Sequence, residues 1–208
     1  VLGNNISSAT LTGGSSVNAV AGVATFGGLS VDKPGIGYTL TAASGTLTGG
    51  TSSAFTVSVG AADAQISTLT PATALLPGDG QSTQLLTVTA KDALGNNLGL
   101  GGSTVVIRLR SGVGQIGSVT DHGNGTYTAL LTAPASVGAG IVVATLGGAE
   151  VKNGGTSQTE VAVTFNDVVA PLISGPGKTI GPSSVQSISE NITAIHAFTS
   201  NESVAWSL

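Results

Sequence analysis

The sequence contains no cysteine and no methionine, and only 8% of its 208 residues are charged. The missing thiols rule out disulfide staples, zinc–thiolate centres and cysteine nucleophiles. Ordinary soluble domains carry about a quarter charged residues, so hydroxyl groups must supply the polar surface here. Lys and Arg together number six and the net charge is −4. That is too little cation to neutralise a nucleic-acid backbone or to seek an anionic membrane surface. Aromatics are 3%, leaving few rings to stack on sugars. No run approaches the roughly 18 consecutive apolar residues of a membrane helix. No basic and apolar leader opens the chain, and the start at Val1 is read as an internal or processed piece of a longer polypeptide. Neither nucleic-acid binding nor membrane insertion is expected.

What fills the chain is glycine (32 residues), serine, threonine and short apolar runs, with 40% hydrophobic residues in all. The clearest stretch runs from Ser118 to Ala133. Asp121, Gly123, Asn124 and Gly125 are turn residues, tolerant of positive φ or able to cap a turn with a short side chain. They feed Thr126–Thr132, which alternates with period two: Tyr127, Ala129 and Leu131 on one face, Thr126, Thr128 and Thr132 on the other. The stretch predicts a hairpin with one buried face. No helical period of 3.6 appears anywhere.

Taken in order, residues 1–63 are read as a partial sandwich lacking its first strand or two. Its strands are expected at Ala9–Thr12, Ser16–Val20, Val23–Phe26, Tyr38–Ala42 and Phe55–Val59, with a turn at Asp32–Gly37 and a linker at Gly60–Asp63. Residues 64–166 predict a complete domain. Leu86, Val88 and Ala90 face inward, as do Val105, Ile107 and Leu109 opposite Arg108 and Arg110, and Val161, Val163 and Phe165. About seven strands in about 100 residues, with turns every 8–12, is the pattern of an immunoglobulin-like sandwich. The tetrapeptides Gly49–Ser52 and Gly154–Ser157 suggest a repeat between the two units. Residues 167–208 begin a third sandwich after the Pro171 linker, with strands at Val185–Ser189, Ala194–Phe198 and Val204–Leu208 and Trp206 as its core plug. The fold class is all-β: tandem immunoglobulin-like sandwiches, the first and last incomplete.

The run Gln81–Asn96, followed by Val119–Tyr127, resembles the bacterial immunoglobulin-like repeats of invasin- and intimin-type surface adhesins, and its second half resembles filamin-type repeats. Residues 22–57 resemble a related surface-protein repeat. Ala170–Gly175 with Ser189–Asn191 and Val204–Leu208 resembles the opening of a cadherin-like bacterial repeat. The resemblance implies an extracellular or cell-surface tandem-repeat protein, non-enzymatic, whose adhesive tip lies elsewhere. Partners would be neighbouring repeats or subunits, through strand complementation where a sandwich is incomplete, and an unnamed surface receptor. A decoration or fibre protein of a phage virion is the alternative.

Candidate sites are few. His122 falls in the hairpin turn and His196 on a strand of a different expected domain, and in a chain so rich in Ser and Thr a Ser beside either is chance rather than the signature of a triad. Asp121-x-Gly123-Asn124-Gly125 has the outline of a calcium loop but lacks the closing bidentate Glu, and is read as a turn. Under the cadherin-like resemblance, Glu190 and Asp167 could help ligate an interdomain calcium; two carboxylates are short of the six to eight oxygens calcium takes. Tyr38, Tyr127 and Trp206 hold core-like positions rather than sugar-stacking ones, and Leu98–Gly102 lacks the strand–glycine–helix setting of a nucleotide site. Sequons at Asn5, Asn124, Asn191 and Asn201 arise readily in so Ser- and Thr-rich a chain. No catalytic, cofactor or metal residue is assigned.

Overall fold

The computed structural model describes residues 1–167 and three short strands at 173–175, 178–179 and 199–200. The described residues contain no helix. Compact packing separates Val1–Asn166 from Asp167–Leu208.

The first stretch carries β1 (Leu11–Thr12), β2 (Ser30–Val31), β3 (Gly35–Tyr38), β4 (Thr41–Ser44), β5 (Leu47–Thr51) and β6 (Phe55–Val57). They pair only in twos: β1 with β2, β3 with β6, β4 with β5. Tyr38 is fully buried, its ring 5.9 Å from that of Phe55, and its hydroxyl donates to the Lys33 carbonyl at 3.1 Å. Several expectations fail here. Ser16–Val20 and Val23–Phe26 are not strands; Val20 and Val23 merely bridge around Ala21 and Gly22, both at positive φ. With no longer partner to fix a register, the apolar residues gain nothing by alternating, and Val20 and Val23 stay exposed. The Asp32–Gly37 turn ends sooner than expected, because Gly35–Tyr38 is strand β3 with a bulge at Gly37. Tyr38–Ala42 is not one strand: Tyr38 belongs to the β3–β6 pair and Ala42 to the β4–β5 pair. The tetrapeptide echo is not structural either. Gly49–Thr51 is extended in β5, whereas Gly154 turns at φ 77.

The sandwich follows: β7 (Thr68–Thr70), β8 (Thr73–Pro77), β9 (Thr83–Thr89), β10 (Val105–Gly112), β11 (Gln115–Ile116), β12 (Thr120–Asp121), β13 (Thr126–Thr132), β14 (Gly138–Leu146), β15 (Ala149–Glu150) and β16 (Val161–Asn166). One sheet runs β11-β13-β9-β7 with β12 on β13; the other runs β10-β14-β16-β8 with β15 on β14. All ladders are antiparallel except β16–β8. Consecutive strands β7 and β8 therefore sit on opposite sheets, a split at Pro71 and Ala72 that ties both sheets to one stretch of chain.

The inward faces are as the alternation requires. Leu86, Val88, Ala90, Tyr127, Ala129 and Leu131 from one sheet meet Ile107, Val142, Val161, Val163 and Phe165 from the other, all buried. Each such Val or Leu contributes about 1.5–3 kcal/mol relative to an exposed one. On the outer face of the first sheet threonines pair across strands, Thr126 with Thr89 and Thr128 with Thr87, a contact that stabilises by about 0.2–1 kcal/mol. The free edge of β7 is closed by Asn153, at φ 50. Its Oδ1 accepts from Leu69 N at 2.7 Å and its Nδ2 donates to Leu69 O at 3.3 Å, so one side chain stands in for a neighbouring strand. Gly112, at φ 85, ends β10 where an added Cβ would lie 2.1 Å from the Ala139 carbonyl oxygen.

In the C-terminal unit β17 (Ile173–Gly175) pairs antiparallel with β18 (Lys178–Thr179) and β19 (Thr199–Ser200). The strands expected at Val185–Ser189, Ala194–Phe198 and Val204–Leu208 all lie outside the described residues, as does Trp206.

Candidate functional site

Among the described residues one charged side chain is buried, the carboxylate of Asp92, 4% exposed. It opens the turn Asp92–Asn97 after β9. Asp in this place folds back on its own loop, and Oδ1 accepts from Leu94 N at 3.0 Å and Asn96 N at 2.9 Å. Oδ2 reaches beyond the turn, accepting from Gly60 N at 3.1 Å and from Asn96 Nδ2 at 3.1 Å. Asn96 Nδ2 in turn donates to the Asp32 carbonyl at 3.0 Å. Asp32 Oδ1 accepts from Thr10 N at 2.6 Å. A chain of hydrogen bonds thus runs from Thr10, just before β1, to the turn that follows β9.

Buried Ser67 closes a second connection, donating to the Asp63 carbonyl at 2.7 Å and accepting from Lys91 N at 2.9 Å. Gly60–Asp63, read from sequence as a linker, is coil pinned at both ends: Gly60 by Asp92, and Asp63 N by the Lys91 carbonyl at 2.7 Å. Gly60 comes so close that a Cβ would stand 3.2 Å from that of Asp92. A cleft lined by Asp32, Pro34, Ala62, Leu94 and Leu146 borders this joint.

The electrostatics of Asp92 set two effects against each other. Burial raises the carboxyl pKa; the Asn96 side chain and the amides of Asn96, Gly60 and Leu94 lower it and prevail, holding it below the usual range. The charge is thus satisfied by N–H dipoles. Nothing in this donor set is a nucleophile or a base poised for chemistry; the arrangement fixes position.

At the hairpin, β12 and β13 pair as expected. The Asp121 carboxylate accepts from Gly102 N at 2.7 Å and Gly123 N at 2.8 Å, which lowers its pKa. Oδ1 closes the local turn on Gly123, in keeping with the turn reading of 121–125, while Oδ2 ties the hairpin to the loop at Gly102. The Gly101–Gly102 stretch of the glycine-rich loop packs on this carboxylate; a Cβ at Gly101 would lie 2.3 Å from Oδ1. His122 is exposed, its Nε2 2.8 Å from Thr128 Oγ1. Tyr127 is buried as expected, its hydroxyl accepting from Ser103 N at 2.9 Å. Asn5 closes its own loop through Ala9. His196, Glu190, Asn191 and Asn201 lie outside the described residues, and Asp167 has partners of its own. Among the described residues no three His, Cys, Asp or Glu side chains cluster as metal ligands. The sequence reading saw the Asp92 turn and missed its reach. The Asp followed by Gly-Asn-Asn was the available signal, but partners 32 and 64 residues away leave no local trace.

The family model described as "Invasin, domain 3" matches residues 63–168. The chain belongs to the invasin domain 3 family. The Asp92 turn, the hairpin and both sheets all lie inside this invasin-type repeat. Among solved structures, the adhesin InvE of Yersinia pseudotuberculosis is 22% identical over 56% of this chain and 31% of its own, with a TM-score of 0.43. Invasin, titled a bacterial integrin-binding protein, is 23% identical over 70% of this chain and 28% of its own, also at 0.43. The D00–D0 domain of intimin is 20% identical over 57% of this chain and 59% of its own, at 0.38. The chain spans less than a third of the length of InvE or invasin. No curated protein matches it.

Proposed function

We propose that this chain is a repeat segment of a bacterial cell-surface adhesin, a spacer that holds a binding tip away from the surface and catalyses nothing. The observation that carries this reading is the joint at Asp92. A spacer must transmit orientation from one segment to the next, and here a buried carboxylate closes its own turn on Leu94 and Asn96 while joining Gly60 and, through Asn96, Asp32. The partners are its neighbouring repeats; receptor contact belongs to another part of the polypeptide. Membership of the invasin domain 3 family supports the adhesin setting.

The test is reach against binding. An adhesin displayed on cells with residues 63–168 deleted should keep the solution affinity of its tip and lose adhesion across a long gap. Saturable binding of this chain alone to host cells would replace the spacer reading with a receptor-binding one. Small-angle scattering of the Asp92→Ala chain should show a wider distribution of shapes than the parent; unchanged profiles would remove the joint from the argument.

A further inference from the structure

The sequence holds two Asn-Gly pairs among the described residues, Asn124-Gly125 and Asn153-Gly154. An Asn-Gly pair can cyclise: the glycine amide nitrogen attacks the Asn side-chain carbonyl carbon, unhindered because glycine has no Cβ. The two pairs share this chemistry, and the fold treats them in opposite ways. At Asn153 the leaving amide is engaged, Nδ2 donating to Leu69 O at 3.3 Å, and the nucleophile is engaged as well, Gly154 N donating to Gln65 O at 2.6 Å. At Asn124 neither Nδ2 nor Gly125 N has a protein acceptor among the described residues. Its Oδ1 instead receives two donors, Thr126 N at 3.0 Å and Thr126 Oγ1 at 2.6 Å. Negative charge develops on this oxygen as the carbonyl is attacked, so the donors stand where an oxyanion needs them.

We infer that Asn124 is a self-modification site, which deamidates in the folded protein while Asn153 is protected. Solvent base takes the Gly125 amide proton and the nitrogen bonds to Cγ. The tetrahedral intermediate, its oxygen held by Thr126, then collapses with loss of ammonia. Water opens the resulting succinimide at either carbonyl, leaving aspartate or isoaspartate at position 124. Water enters and ammonia leaves, with no redox change. Aspartate keeps the turn acceptor and adds a charge beside Asp121. Isoaspartate lengthens the main chain next to Gly125, whose carbonyl accepts from Ala90 N at 2.8 Å, and so loosens the hairpin end. Gly125 is buried against Leu98 and Gly99, which makes the folded rate slower than that of an open chain.

The experiment ages the full chain in mildly alkaline buffer, with and without urea, and quantifies each site by peptide mass spectrometry. In urea both sites should react at similar rates. In the folded chain Asn124 should outrun Asn153 by about tenfold or more, and Thr126→Val should slow Asn124 by about tenfold, while Thr126→Ser restores the rate. The Asn153 rate monitors folding of each variant, since unfolding would bring it up to the urea value. Equal folded rates, a faster Asn153, or a folded chain inert at both sites would overturn the assignment. So would a folded Thr126→Val chain that reacts at the parent rate.

Discussion

Residues 1–63 bury two apolar side chains, Ala9 and Tyr38. Residues 64–166 bury 19 in one continuous core. The two stretches draw on the same Gly, Thr, Ser and Val, and both alternate in places. The first spends its strands in pairs, so no face is covered by an opposing sheet, and Val1, Ile6, Val20, Val23, Ile36 and Leu47 are all more than 60% exposed. The second sets two multi-stranded sheets face to face. The same residues thus contribute very different stability, depending on whether a second layer exists.

That contrast can be broken or sharpened by substitution. Leu131→Ala in the sandwich should cost about 3–4 kcal/mol in urea unfolding of the full chain, because it empties a fully buried site between the sheets. A loss below about 1 kcal/mol would mean the core is looser than its burial implies. Gly112→Ala should cost about 3 kcal/mol by the same measurement, from its φ of 85 and the contact a Cβ would make with the Ala139 carbonyl. Asp92→Ala should cost about 2–3 kcal/mol, since it strips the partner from the Gly60, Leu94 and Asn96 amides at once. It should also raise early proteolysis within 1–63, which a mutation deep in the sandwich leaves unchanged until global unfolding.

Acid should act mainly on the sandwich. Asp79 is held down to about 2 by the Ser82 amide and hydroxyl and the Gln81 amide, and Asp92, Asp121 and Asp32 are also depressed from 3.8. A carboxyl whose folded pKa is lowered stabilises fully above its unfolded value and loses that contribution as pH falls through the folded one. The melting temperature should therefore be flat above pH 5 and fall as pH drops from about 4 towards 2, with a shallower slope in Asp79→Asn. A flat profile down to 2 would contradict the hydrogen bonding at these carboxylates. The smallest effect belongs to the open region: Leu47→Ala, at a site 72% exposed, should change stability by less than about 0.5 kcal/mol.

Strands β9, β10, β13 and β16 were legible because each has one buried and one wet face, and period two records that difference residue by residue. The hairpin at Asp121–Gly125 was legible because turn chemistry is local. Ser16–Val20 and Val23–Phe26 misled because short Ser, Val and Ala runs carry the same pattern whether or not a partner strand is there to use it. The Asn153 closure of β7, 84 residues from Leu69, and the reach of Asp92 to Gly60 had no local signal.

By itself the sequence determined an all-β chain: glycine, proline and Asn/Asp turns end the apolar runs before a helix could form, and threonine and valine suit a pleated, half-buried surface. The tertiary structure alone decided which strands became neighbours. It placed β7 and β8 on opposite sheets, paired β8 parallel with β16, and brought one carboxylate into the joint with residues 1–63. The reason is physical. Backbone propensity acts between adjacent residues, whereas sheet order and buried polar contacts are selected by the free energy of covering whole faces and satisfying every buried group at once.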